Sequence, residues 1–146
     1  MQGIAITVGA TALMVAPPRY LLGALDWQAK AYVNGDIVRT STGAIYWVIV
    51  AGTSAVAPSV LGGKTEQEGG GGPLWGHITP GPRRSFFATN TGATVFTVTT
   101  GIAPVAGAGS VLQPNGTYSL TAPSQINDAI YAISSAPGGV LAVQDI

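Results

Sequence analysis

Charge is what this chain has least of: six Lys+Arg and six Asp+Glu in 146 residues, with a formal net charge of zero. An ordinary soluble domain is roughly one-quarter charged; here the figure is 8 %, while 47 % of residues are apolar. A lone chain with so little charge lacks the repulsion that keeps proteins apart in solution. Much of its surface is therefore expected to lie against other protein, which marks an assembly component. Cysteine is absent, which excludes disulfides, thiol chemistry and cysteine-based zinc sites and suits a chain made in a reducing cytoplasm. Long apolar runs are absent too. A membrane-spanning helix needs about 20 predominantly apolar residues. The uncharged stretch Met1 to Pro18 is broken by Gly3, Gly9 and the Pro17-Pro18 pair. Its first positive charge is Arg19, so no basic secretory leader is read and no membrane association is expected.

Glycine and proline are plentiful, at 21 and 10 residues, and they cut the chain into short strands between turns. Ile4, Ile6 and Val8 alternate with Ala5 and Thr7. Asp36 to Thr40 and Ala44 to Ala51 flank a Ser41-Thr42-Gly43 turn. The second of these strands is apolar on both faces, as in a central strand or one packed on a neighbouring subunit. Only Tyr20 to Lys30 offers a short helical option. After the Thr79-Pro80-Gly81-Pro82 hinge, strands are predicted over 84–89, 94–100, 110–112, 117–121, 129–134 and 140–144. Turn residues Asn90-Thr91-Gly92, Pro114-Asn115-Gly116 and Pro137-Gly138-Gly139 separate them.

The expected fold is all-β, in two small modules. An N-terminal strand or arm covers 1–18, a hairpin-rich module 19–79, and a β-sandwich 83–146. Residues 52–73, with Gly62-Gly63 and Gly69 to Gly72, read as a long mobile Gly-rich loop, of the kind that is usually functional or disordered. The uncharged, alternating segment Met1 to Val15 would be an aggregation-prone edge if left free. It is expected to pair with another chain, with Ile4, Ile6 and Val8 in contact.

Constellations that carry chemistry are few. Gly63-Lys64-Thr65 resembles the end of a phosphate-binding loop, but Pro58 stands where the first glycine is needed, and no helix can follow. His77 is the only histidine and has neither nucleophile nor further metal ligands nearby in sequence. The six carboxylates are scattered, so no catalytic residue, metal or cofactor is assigned and no enzyme is expected. Asn115-Gly116-Thr117 matches a glycosylation sequon and reads equally as a turn. Arg83-Arg84 is the one adjacent basic pair. It is too little to neutralise several phosphates, so no nucleic-acid partner is expected; the pair is instead a candidate subunit contact. Trp27, Tyr32, Tyr46, Trp47 and Trp75 all lie in the first module. They read as a core, a protein interface, or a platform for sugar rings.

Two resemblances follow from these residues. Trp27, then Tyr32-Val33-Asn34-Gly35-Asp36-Ile37-Val38, Gly43-Ala44-Ile45-Tyr46, Ala51-Gly52-Thr53-Ser54, Pro58 and Leu74-Trp75, resembles chitin-binding-like modules and, more closely, related modules of tailed-phage virion proteins. Asn90-Thr91-Gly92 after Phe87, Leu112 to Tyr118 around the Pro-Asn-Gly turn, and Ile130 to Ile133 are similar to small β-sandwiches of phage capsid accessory proteins. The resemblance implies a virion structural protein of the capsid decoration or cement type. Such a protein is made in the host cytoplasm, sits on the capsid surface, and binds between subunits of the major capsid protein. It also implies a homotrimer, because such proteins commonly occupy local three-fold positions. The alternative is a tail, collar or fibre module that touches host saccharide through the aromatic residues.

Overall fold

A computed structural model of the chain describes residues 3–19, 24–121 and 127–146. Every regular element among them is a β-strand, and the protein is all-β: 47 % of the described residues lie in strands, and among them there is no helix and no closed barrel. The chain divides into two compact units. One holds residues 24–81; the other combines 3–19 with 82–121 and 127–146.

The discontinuous unit is two four-stranded antiparallel sheets. Strands β1 (Ile4–Val8) and β2 (Leu13–Ala16) come from the N-terminal segment, so residues 3–19 form part of the sandwich rather than a separate arm. β1 pairs with a strand at the far end of the sequence, with Ile4 opposite Val143 and Val8 opposite Gly139. The pairing expected with another chain is thus made, on one side of β1, within the chain itself. The reason is the period of two. Ile6 and Val8 point inward and are buried, while Ala5 and Thr7 face out, so the strand matches a half-buried sheet position.

The other unit carries seven strands: β3 (Leu25–Asp26), β4 (Ala31–Tyr32), β5 (Ile37–Arg39), β6 (Ile45–Val50), β7 (Gly52–Thr53), β8 (Thr65–Gln67) and β9 (Leu74–His77). Five of them form a sheet in the order β3-β5-β6-β9-β8, and β4 pairs with β7. The turn between β5 and β6 falls where Ser41-Thr42-Gly43 places it, with Gly43 at φ 85°, a conformation that glycine adopts without a Cβ penalty. The helical option over Tyr20 to Lys30 is not taken: residues 24–30 contain β3 and irregular backbone, and 20–23 lie outside the described residues.

Six strands complete the sandwich: β10 (Ser85–Asn90), β11 (Phe96–Thr100), β12 (Ser110–Leu112), β13 (Thr117–Thr121), β14 (Ile130–Ser134) and β15 (Gly139–Asp145). One sheet runs β1-β15-β10-β13 and the other β12-β11-β14-β2. Alternate residues of these strands, among them Val8, Phe86, Ala88, Phe96, Ile130 and Leu141, are fully buried. Asn90 is buried with them and locks the following turn. Its amide donates to the Thr94 and Leu112 carbonyls, and its side-chain oxygen accepts from the Gly92 N–H.

The doubly apolar strand β6 is a central strand, and Trp47 on it is buried, not a free interface residue. One face, Tyr46 and Val48, joins Tyr32, Val38 and Trp75 in an apolar cluster. Trp47 and Ile49 occupy the other face, both buried, and Gly76 on β9 leaves room for them. A Cβ at Gly76 would collide with the Trp47 indole nitrogen and come within 3.1 Å of Ile49 Cδ1. Replacing Gly76 with Ala is therefore expected to cost about 1–3 kcal/mol through overpacking. Denaturant titration followed by tryptophan emission would show it, and wild-type stability in the variant would refute this packing.

Candidate functional site

The sparse charges have mostly structural employment. Arg19, Arg83 and Asp145 form a buried triad within the sandwich. Asp145 Oδ1 lies 2.9 Å from Arg19 Nη2 and 2.7 Å from Arg83 Nε, with all three side chains at most 4 % exposed. Arg83 also donates from Nη1 to the Asp128 carbonyl and from Nη2 to the Pro17 carbonyl. Its backbone N–H reaches the Asn127 side-chain oxygen, and the Arg19 N–H donates to the Asn127 carbonyl. The planar guanidinium fork suits such simultaneous donation. The triad thereby fixes the point after which the chain leaves the sandwich, at Arg19, beside the point where it returns, at Arg83. Arg83 is consequently buried and no surface contact, contrary to its candidacy from sequence. Arg84 is exposed.

In the other unit the carboxylates organise the Gly-rich segment, which is hydrogen-bonded rather than an open loop. Glu68 accepts at Oε1 from the Ala55 and Val56 N–H groups, and at Oε2 from Ser54 Oγ and Trp75 Nε1. Trp27 Nε1 donates in turn to Ser54 Oγ at 3.0 Å. Partial burial pushes the Glu68 carboxyl up, but these four donors outweigh it and hold its pKa below the ordinary 4.5. Glu66 accepts from the Ser59 and Val60 N–H groups. Between them, the Gln67 amide donates to the Glu68, Gly72 and Pro73 carbonyls. Gly52 faces the returning backbone so closely that a Cβ there would fall 2.6 Å from the Pro73 nitrogen. Three consecutive side chains, Glu66-Gln67-Glu68, thus anchor a segment whose glycine content alone argues for disorder.

Gly63-Lys64-Thr65 is no phosphate loop. The Gly63 N–H donates to His77 Nδ1 at 3.0 Å, and Thr65 opens strand β8 instead of a helix. Accepting at Nδ1 requires the neutral imidazole, and burial lowers the His77 pKa below 6.5. The ring packs edge-on against Tyr46 at 5.4 Å, and Tyr46 donates its hydroxyl to the Val60 carbonyl. Desolvation and then the Glu66 charge raise the Tyr46 pKa. These bonds hold the turn before β8 against β6 and β9.

The aromatic candidates divide on exposure. Tyr32, Tyr46, Trp47 and Trp75 are each at most 3 % exposed, and Tyr32 meets Trp75 edge-to-face at 5.2 Å. Trp27 is half-buried. The four buried rings offer no open face on which a sugar could stack, whereas Trp27 lines a shallow surface groove with Arg39, Thr40 and Ala57. A groove of about 520 Å³ does open beside them, lined by Asp26, Lys30, Asp36 and Tyr32. Its charges are already engaged. Asp26 lies 3.4 Å from Arg39, Asp36 accepts from the Val33 N–H, and Lys30 sits over the Tyr32 ring.

The surface that sequence reading missed is the outer face of the sheet β1-β15-β10-β13. Register places Ala5, Ala142, Thr89 and Thr117 in one outward row and Gln144, Phe87 and Ser119 in the next. Thr7 with Val140, and Ser85 with Thr121, extend it on either side. No charged side chain occurs in these rows. Phe87, at 38 %, is the one aromatic among the exposed large apolar residues described. The signal was the uncharged alternation of Ser85 to Asn90 with Val140 to Gln144, but strand pairing was needed to bring the rows together. Comparison of the chain with protein-family profiles, characterised proteins and solved structures finds no match.

Proposed function

We propose that this protein is a structural component of a tailed-phage virion, a decoration or cement protein lying over joints between major capsid subunits on the capsid surface. The observation that carries this reading is the charge-free four-strand outer face around Phe87. Such a face resists attachment through ion pairs and favours apolar burial with backbone hydrogen bonds. The sequence resemblance supplies the identity of the shell. The mechanism is mass action: a protein that binds only the assembled lattice stabilises that lattice against rupture and dissociation. A trimer at local three-fold positions belongs to this reading and is supported by the resemblance; Trp47, being buried, takes no part in it. The tail or fibre reading has less support, because four of the five aromatic residues that would hold saccharide are buried and only Trp27 lines a groove.

Copy number in purified particles is the deciding measurement. On the order of hundreds of copies accords with a shell role, whereas about six or twelve places the protein at the neck or tail and overturns it. Attachment is further expected to be nearly indifferent to salt. Raising ionic strength from about 0.05 to 0.5 M screens charge pairs but leaves apolar contacts in place. Occupancy on particles, followed by sedimentation across that range, checks this; a steep loss would return the exposed Arg84 to consideration as an anchor.

A further inference from the structure

Strand β1 ends its sheet, and among the described residues nothing pairs with its outer side. Natural edge strands are usually blunted by charge, proline, a bulge or brevity. In the facing sheet, β12 is three residues long, and β2 carries a register irregularity against β14 and runs into Pro17-Pro18. β1 has none of these devices: five residues, Ile-Ala-Ile-Thr-Val, in unbroken register. Beside it, on the outer face, lies a shallow groove of about 440 Å³ floored by Gly3, Ala5 and Ala142, with Phe87 and Gln144 among its walls. Open backbone groups and a groove floored by small residues are the two elements of strand-addition recognition. The main chain binds, and a pocket selects alternate side chains.

We infer that β1 receives an extended, uncharged segment of another protein as a fifth strand, with a large apolar side chain of that segment lying in the groove against Phe87. Only an extended backbone matches the spacing of the edge N–H and C=O groups. The surrounding rows contain no charge, so an ionic side chain brought there would be desolvated without a partner. A second copy of β1 is the poorer occupant, because its outward side chains, Ala5 and Thr7, are too small to fill the groove. That the segment belongs to a shell subunit rests on the virion reading; the chemistry of the edge does not.

The test uses the whole protein and a synthetic strand. The probe is an acetylated peptide of about ten alternating Thr and Val residues with one central Phe. Alternate amides are N-methylated so that only one edge can pair. Binding is expected with slowed amide exchange within residues 4–8, and replacing the central Phe by Ala should weaken it about tenfold. Ala5→Glu, an exposed substitution that fills the groove with charge, should abolish binding while the melting profile is unchanged; Phe87→Ala should weaken it. Absence of binding below about 1 mM, or protection appearing at β13 instead of β1, overturns the inference. So does a wild-type dimer, seen by light scattering, that Ala5→Glu dissolves, since the occupant would then be a second copy. On particles the arms separate. Wild-type attachment retained by Ala5→Glu refutes the edge but not the virion role, while failure of both proteins to attach refutes the virion role and leaves the peptide result to judge the edge.

Discussion

Asp145→Ala is expected to destabilise the sandwich by about 3–5 kcal/mol, because it leaves Arg19 and Arg83 buried together with no carboxylate between them. At the size of this unit, that corresponds to a fall in melting temperature on the order of 20 °C. Asp145→Asn should recover little, since it keeps the shape but not the charge. Removing all three charged groups would not be neutral either, because the carbonyls of Pro17 and Asp128 receive their hydrogen bonds from Arg83. The protein offers a clean readout. All three tryptophans lie in the other unit, so tryptophan emission follows that unit, while amide exchange in β1, β10 and β15 follows the sandwich. Exchange protection should collapse first in the Asp145→Ala variant. Unchanged protection would mean that the triad contributes nothing net to the fold.

Glu68→Ala should be the most damaging single change in the Gly-rich segment, costing about 3 kcal/mol by stranding the donors of Ser54, Ala55, Val56 and Trp75. The same carboxylate makes this unit sensitive to acid. Its pKa in the fold lies below the ordinary 4.5, so below 4.5 the unfolded chain binds the proton more readily than the folded one. Its stabilisation is complete above about pH 4.5 and is lost as pH falls through the lowered folded value. His77 acts in the same direction and earlier. Its pKa is lowered from 6.5, so its share begins to fade as pH drops below that value. Tryptophan-detected stability should therefore decline in two stages between neutral and acid pH. Glu68→Gln should remove the lower stage and His77→Gln the upper one. A profile that both variants leave unchanged would refute these assignments.

Much of this architecture was legible in one dimension. Alternation in Ile4-Ala5-Ile6-Thr7-Val8 marked a half-buried strand, and Ser41-Thr42-Gly43 and Pro114-Asn115-Gly116 marked turns, because side-chain period and backbone φ are local properties. Partnership was not legible. The same alternation that made residues 4–8 a strand left open whether the partner was another chain or β15, more than 130 positions away, since period two fixes which side chains share a face but not which strand lies alongside. Aromatic content marked the first module without saying whether its rings made a core, an interface or a sugar platform, and burial decided for the core at Tyr32, Tyr46, Trp47 and Trp75. Arg83 shows the limit most clearly: two adjacent arginines in a loop read as surface charge, and only the approach of Asp145 from the end of β15 makes one of them an interior residue.

Composition determined by itself that this would be an all-β protein poor in surface charge, because glycine, proline and short alternating runs exclude long helices, and twelve ionic side chains cannot cover a molecule of this length. The tertiary structure decided where those few charges went. A carboxylate becomes a loop anchor or the centre of a buried triad only when backbone donors and guanidinium groups distant in sequence converge on it. None of the twelve falls in the outward rows of one sheet, and that charge-free face exists only once β1, β15, β10 and β13 lie side by side.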